Sequence, residues 1–247
     1  MSNKTIFIGE IIGTFILVFI GCGSVALAVV YEFLNSLFEV ALFWTAAVVL
    51  GIYCSSKLSG AHLNPAVSIA FLVDKQISIR RFWIYLFAQL LGAFIAGLLL
   101  FLIIKNDITV FSIKTASVFG EYFPNPTFEN LDWVNLPLAS LTETTATFML
   151  VYLIFIIISI QKINKLAPTL IGITVGVLIY IFAPYTQCCM NPARDFGPRI
   201  VSFIFGWSEW AFSFNGTGWL IVYILSPLVG GVLGALTYIK TLKNRLS

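Results

Sequence analysis

The chain has 247 residues, 59% of them hydrophobic and only 10% charged, with a mean hydropathy of +0.97. A soluble domain carries roughly 25% charged residues, so the composition excludes an ordinary globular domain and points to a polytopic membrane protein. The net charge of +3 comes without any Lys/Arg patch interleaved with aromatics, which excludes nucleic acid as a partner.

Crossing a hydrocarbon core of about 30 Å takes about 20 apolar residues, and six segments qualify: 5–30, 37–57, 81–104, 137–160, 167–185 and 217–240. The first imitates a secretory signal, with Lys4, an apolar run and then Ala26-Leu27-Ala28, but Glu10 interrupts the run and the segment recurs later. It reads as a retained first helix. Between the second and third spans, Asn64-Pro65-Ala66 opens a short apolar run over 65–73. At 1.5 Å per residue that run is ~14 Å long, about half the core. Between the fifth and sixth spans, Asn191-Pro192-Ala193 opens a similar run over 192–203. Neither run spans alone, as expected of re-entrant half-helices.

The longest connection, 105–136, carries Tyr122-Phe123-Pro124-Asn125-Pro126 and the acidic residues Glu121, Glu129 and Asp132. It joins two halves that resemble each other, 1–104 and 137–247. Glu10, Gly13, Thr14 and Phe15 match Glu143, Ala146, Thr147 and Phe148; the triplets match; Gly92-Ala93 and Gly97 match Gly230-Gly231 and Ala235. Each half holds three spans, an odd number, so the repeats insert with opposite topology and their half-helices meet near the midplane. One channel-like domain over 1–247 is expected. With the N-terminus cytoplasmic, ten basic residues fall inside (Lys4, Lys57, Lys75, Arg80, Arg81, Lys162, Lys165, Lys240, Lys243 and Arg245) against Lys105 and Lys114 outside. That asymmetry places both termini in the cytoplasm.

In each triplet the Asn suits an N-cap and the Pro the first helical turn, where its missing N–H costs nothing. Both half-helices then aim positive dipole ends at the bilayer centre, a site that favours neutral hydrogen-bonding solutes and repels cations. Four cysteines (Cys22, Cys54, Cys188 and Cys189) form no disulfide framework, and a single histidine, His62, leaves no imidazole cluster for a metal.

Ser59-Gly60-Ala61-His62-Leu63-Asn64-Pro65-Ala66-Val67 and Asn191-Pro192-Ala193-Arg194 resemble the two signatures of the aquaporin and glycerol-facilitator family, and the resemblance extends over essentially the whole chain. It implies an all-α membrane protein: a right-handed bundle of six transmembrane helices plus two half-helices, usually a homotetramer in a lipid bilayer with one pore per subunit. It implies passive passage of water, glycerol and other small uncharged solutes, with no cofactor.

By the same resemblance, Asn64 and Asn191 donate to the solute at the centre. Carbonyls of Gly60, Ala61 and His62, and of Gln187, Cys188 and Cys189, form an acceptor ladder. Trp44, Ile179, Cys188 and Arg194 form the selectivity constriction, with Arg194 supplying donors and a positive charge against cations. Asp195, Arg199 and the Tyr-Phe-Pro-Asn-Pro loop resemble the glycerol-facilitating branch, and Asp195 joins Arg194 and Cys188 in setting solute size. Ile179 and Cys188, and Tyr223 and Ile224, depart from the usual glycerol-facilitator residues, so a channel passing mainly water stays open beside the preferred aquaglyceroporin.

Glu10 and Glu143, carboxylates within spans, are functional candidates by position; their symmetry suits acceptors for buried N–H groups of the re-entrant loops, with proton coupling as the other reading. His62 reads as a packing element whose carbonyl faces the pore. Trp207 and Trp210 suit an interfacial belt, and Gly92, Gly97, Gly172, Gly176, Gly230 and Gly234 suit close helix packing. An ion-coupled transporter also uses inverted repeats and broken helices, but needs a titratable pair at the midplane. An intramembrane enzyme lacks seats for nucleophile and base. A purely structural junction leaves Arg194 and Asp195 without a purpose. The Ile-, Phe- and Asn-rich usage fits an AT-rich bacterial genome and a plasma-membrane address.

Overall fold

A computed structural model describes residues 1–243; Arg245, counted above among the cytoplasmic basic residues, lies outside them. The described residues form helices and connecting turns, with six helices long and apolar enough to cross a membrane. In chain order these and the shorter helices are α1 (Asn3–Val29), α2 (Leu37–Ser59), α3 (Pro65–Val73), α4 (Ile79–Ile104), α5 (Ile113–Ala116), α6 (Leu136–Ser159), α7 (Ala167–Thr186), α8 (Pro192–Ile204), α9 (Ser208–Ala211) and α10 (Gly218–Thr241).

Local chemistry sets the boundaries. Ser36 caps α2 in a reciprocal box with Glu39, satisfying two of the amides that a helix start leaves open. α2 stops where Gly60 takes φ +87°, a left-handed conformation that only glycine adopts freely. In α10 the Ser226 amide reaches the carbonyl of Ile221, a wide turn over Ile221–Leu225. Pro227, with no N–H to give, sits next to that turn.

Within each half the first helix packs on the second and third: α1 on α2 and α4, α6 on α7 and α10. Each half-helix instead packs on the last long helix of the other half, α3 on α10 and α8 on α4. The halves are thereby interlocked. Glycine makes the close approaches possible. A Cβ on Gly92 would lie 2.6 Å from the carbonyl oxygen of Ile11 in α1, and one on Gly230 2.4 Å from that of Thr144 in α6. The same contact thus occurs once in each half, in line with the small-residue reading of these positions.

Trp207 corrects an expectation. It is fully buried, donates from Nε1 to Thr115 Oγ1 at 2.9 Å and packs on Phe101, Phe111 and Phe119. An indole with a satisfied N–H stabilises more by burial than at an interface, so it pins α5 and the following loop rather than joining a belt.

Candidate functional site

The two half-helices meet through their N-caps. Asn64 Oδ1 accepts from the Ala66 amide at 2.8 Å, and Asn191 Oδ1 accepts from Ala193 at 3.1 Å and Arg194 at 3.3 Å. Their amide nitrogens cross over: Asn64 Nδ2 donates to Met190 O at 2.7 Å, and Asn191 Nδ2 to Leu63 O at 2.9 Å. A primary amide has two N–H donors. With the oxygen and one N–H fixed, the second N–H of each has a set direction, and both residues line a continuous cavity of about 360 Å³.

The segments ahead of the caps carry a left-handed backbone at Gly60, Ala61 and Leu63, and again at Gln187, Cys188 and Met190. Such conformations at non-glycine residues are costly and persist only when the surroundings hold them. Two carboxylates do the holding. Glu10 accepts from Ser59 Oγ (2.6 Å), His62 N (3.0 Å), Leu63 N (2.7 Å) and Gln89 Nε2 (2.7 Å). Glu143 accepts from Thr186 Oγ1 (2.6 Å), Cys189 N (2.8 Å) and Met190 N (2.8 Å). Turning those N–H groups toward the carboxylates leaves the other edge of the backbone to the cavity, which all six predicted carbonyl residues line. His62 is clamped by Ser68 Oγ at 3.2 Å and stacked between Phe71 and Tyr85 at 4.3 and 4.1 Å, as a packing element should be.

Val48, Ile52, Leu150, Ile154, Ile171 and Val175 add apolar side chains to the lining of the same cavity. At one end Trp44, Ile179, Cys188 and Arg194 come together, all within 6% of full burial. The guanidinium lies 4.7 Å from the centre of the Trp44 ring, and Cys188 Sγ donates to Leu178 O at 3.4 Å. Trp44, Ile179 and Arg194 also line a second cavity of about 280 Å³ that reaches the 105–136 loop. These three residues thus lie where the two cavities adjoin.

Two features change the reading of this ring. Arg194 is not a bare charge: its Nη2 forms an ion pair with Glu121 Oε1, and Glu121 is itself buried and lines the main cavity. Burial raises the Glu121 carboxyl above the ordinary carboxylate range, and the Arg194 charge opposes that rise. Sequence reasoning noted Glu121 only as an acidic loop residue. Its signal was the need of a buried arginine for a counter-charge.

Asp195 and Arg199, by contrast, are buried and line neither of these two cavities. Arg199 donates to both Asp195 oxygens at 2.9 and 2.7 Å, to Glu121 O at 2.5 Å and to Ala211 O. The Glu121 amide donates back to Asp195 Oδ1 at 2.7 Å. The Asp195–Arg199 pair therefore grips the backbone that carries Glu121. Further along that loop, Asn125 Nδ2 donates to Ala183 O at 2.9 Å and the Tyr122 amide to Gln187 Oε1 at 2.8 Å, fastening it over the second half.

The model for the family described as Major intrinsic protein matches residues 1–238. Similar curated proteins include aquaporin-9 of Mus musculus, 32% identical over 94% of this chain and 80% of its own length. The glycerol uptake facilitator protein of Haemophilus influenzae is 35% identical over 95% of this chain and 91% of its own. Among solved structures, the aquaglyceroporin from Plasmodium falciparum matches with a TM-score of 0.85 at 28% identity, covering 99% of both chains.

Proposed function

Because the chain belongs to the major intrinsic protein family, we propose that it is a passive transmembrane channel for glycerol, water and other small uncharged solutes. The single observation that carries this is a cavity lined both by apolar side chains and by the Asn64 and Asn191 caps with the segments that lead into them. A polyol has both characters: its carbons suit the apolar lining and its hydroxyls the polar groups. In this reading Asn64 and Asn191 donate at the centre, and Gly60, Ala61, His62, Gln187, Cys188 and Cys189 accept along the way. Trp44, Ile179, Cys188 and Arg194 form the selective ring. The glycerol uptake facilitator and aquaporin-9 relatives favour glycerol alongside water. Saturation of Glu10 and Glu143 by fixed donors favours a structural role for both over proton coupling.

Further parts of the reading are a plasma-membrane address, cytoplasmic termini, a lipid-embedded homotetramer and a single domain over 1–247. The topology is supported by basic residues beside the first and last described residues: Arg81 Nη2 reaches Met1 O at 3.4 Å, and Lys243 pairs with Asp74.

Vesicles carrying the protein are expected to exchange water and glycerol faster than empty vesicles while passing no current. Stopped-flow light scattering under water, glycerol and urea gradients measures this directly. Glycerol flux equal to that of empty vesicles removes the glycerol assignment, and flux that requires a proton or sodium gradient replaces the channel by a coupled transporter. A thiol reagent is expected to block flux in the wild type and to spare Cys188→Ser. Block that survives this substitution would place the reactive thiol elsewhere.

A further inference from the structure

Asp74 is the C-cap of α3, where a carboxylate is least welcome because the helix dipole turns its negative end there. Its side chain is nonetheless only 2% exposed and is held twice. Gln76 Nε2 donates to Oδ2 at 2.6 Å, and Lys243 forms an ion pair with Oδ1. Lys75, Arg80 and Arg81 are far nearer in the chain, yet among the described residues the ion pair is with Lys243, 169 positions on. Lys243 is 41% exposed, which weakens the pair by screening. Asp74 is the vulnerable member, since without Lys243 an enclosed charge keeps one neutral donor.

Lys243 stands just past α10, which ends where the Leu242 amide donates to Tyr238 O at 2.9 Å. Tyr238 opens a row of rings: Tyr238 to Phe155 in α6 at 5.1 Å, Phe155 to Phe71 in α3 at 5.0 Å, and Phe71 to His62 at 4.3 Å. Phe71 and His62 line the main cavity. Phe71 lies about one helical turn before Asp74, so the ring row and the ion pair join the same two helix ends by separate routes.

We infer that Asp74 and Lys243 are positioning residues, an ionic latch by which the end of α10 holds the last turn of α3 and so keeps Phe71 in place along the solute path. This rests on the solute-channel reading and adds to it. Neither residue lines either of the two cavities, so the latch acts through Phe71 and not on the solute. If Lys243 loses its charge, the Asp74 carboxylate turns outward to be solvated, and the turn that carries Phe71 moves with it. A displaced ring in the lining hinders a large solute more than a small one.

The ratio of glycerol to water flux in reconstituted vesicles, with empty-vesicle flux subtracted, separates displacement from simple loss of folded protein, which lowers both fluxes alike. In Lys243→Gln the ratio should fall about threefold or more, the scale of one modest interaction. Lys243→Arg keeps the charge and should keep the wild-type ratio. Adding Asp74→Asn to Lys243→Gln removes the stranded carboxylate, so two substitutions should do less harm than one. Thermal unfolding in detergent checks that each variant is folded. An unchanged ratio in Lys243→Gln, or a double variant no better than the single one, overturns the latch and leaves the channel standing. So does a Lys243→Gln protein that fails to fold while the double variant folds, because the pair then only stabilises. In a channel that passes water alone, the loss and its recovery are read on water flux. A wild type no faster than empty vesicles with either solute overturns the channel reading and the latch together.

Discussion

Replacing Arg194 by Val is expected to open a leak for protons and small cations, and adding Glu121→Gln to the same molecule to close most of it. The wild-type pair is buried, with side-chain exposures of 5% and 1%. Removing one member of a buried ion pair leaves the other uncompensated, at a cost of about 3–5 kcal/mol. Here the residue left behind is a carboxylate among the residues that line the main cavity, which draws in cations or takes up a proton. The Asn caps and helix ends at the centre remain as a second barrier, so the leak should be partial. Vesicle currents and a trapped pH dye read it. No leak in the single variant would take Arg194 out of the barrier, and an equal leak in the double variant would clear Glu121 of causing it. Closure of the leak in the double variant would restate the arginine's task as contributing donors and cancelling Glu121.

A comparably large effect is expected from Glu10→Ala. Glu10 receives four donors, two of them main-chain amides of the segment that leads into α3. Without the carboxylate, the His62 and Leu63 amides are buried with no acceptor, at about 1–3 kcal/mol each. Set against a total stability of about 5–15 kcal/mol, the two amides alone consume a large share. The left-handed backbone at Ala61 and Leu63 also loses its restraint. Thermal unfolding in detergent should drop sharply and flux should vanish, with Glu143→Ala behaving alike because it abandons Cys189 and Met190. Glu10→Gln, which keeps one acceptor oxygen and introduces two donors among donors, should fall between. An alanine variant with wild-type unfolding temperature and flux would mean that the loop is held by its packing and not by the carboxylate.

Glu10 and Glu121 show why one acidic residue was legible in the chain and the other was not. Glu10 interrupts an apolar span, and a matching Glu143 sits at the equivalent place in the second half, so composition and repeat together mark it. Glu121 lies in a loop with Glu129 and Asp132, where acidic residues are ordinary. Nothing local distinguishes it. Its role arises because Asp195 and Arg199, far along the chain, take hold of its backbone and turn its side chain onto Arg194. Trp207 is a similar case, since the same residue type serves an interface or a core according to what covers it.

The sequence by itself determined the six spans, the two half-helices and the central pair of caps. Hydropathy over about 20 residues and the Asn-Pro start are short-range properties, and the duplication of both halves fixes how they must face each other. Tertiary structure alone decided the crossed amide bonds from Asn64 to Met190 and from Asn191 to Leu63. It also decided the packing of each half-helix on the opposite half, and the pairing of Asp195 with Arg199 into a clamp on the loop that carries Glu121. Those contacts join groups remote in the chain. They are set by burial, which obliges every enclosed charge and amide to find a partner, and only the assembled fold specifies which partners are within reach.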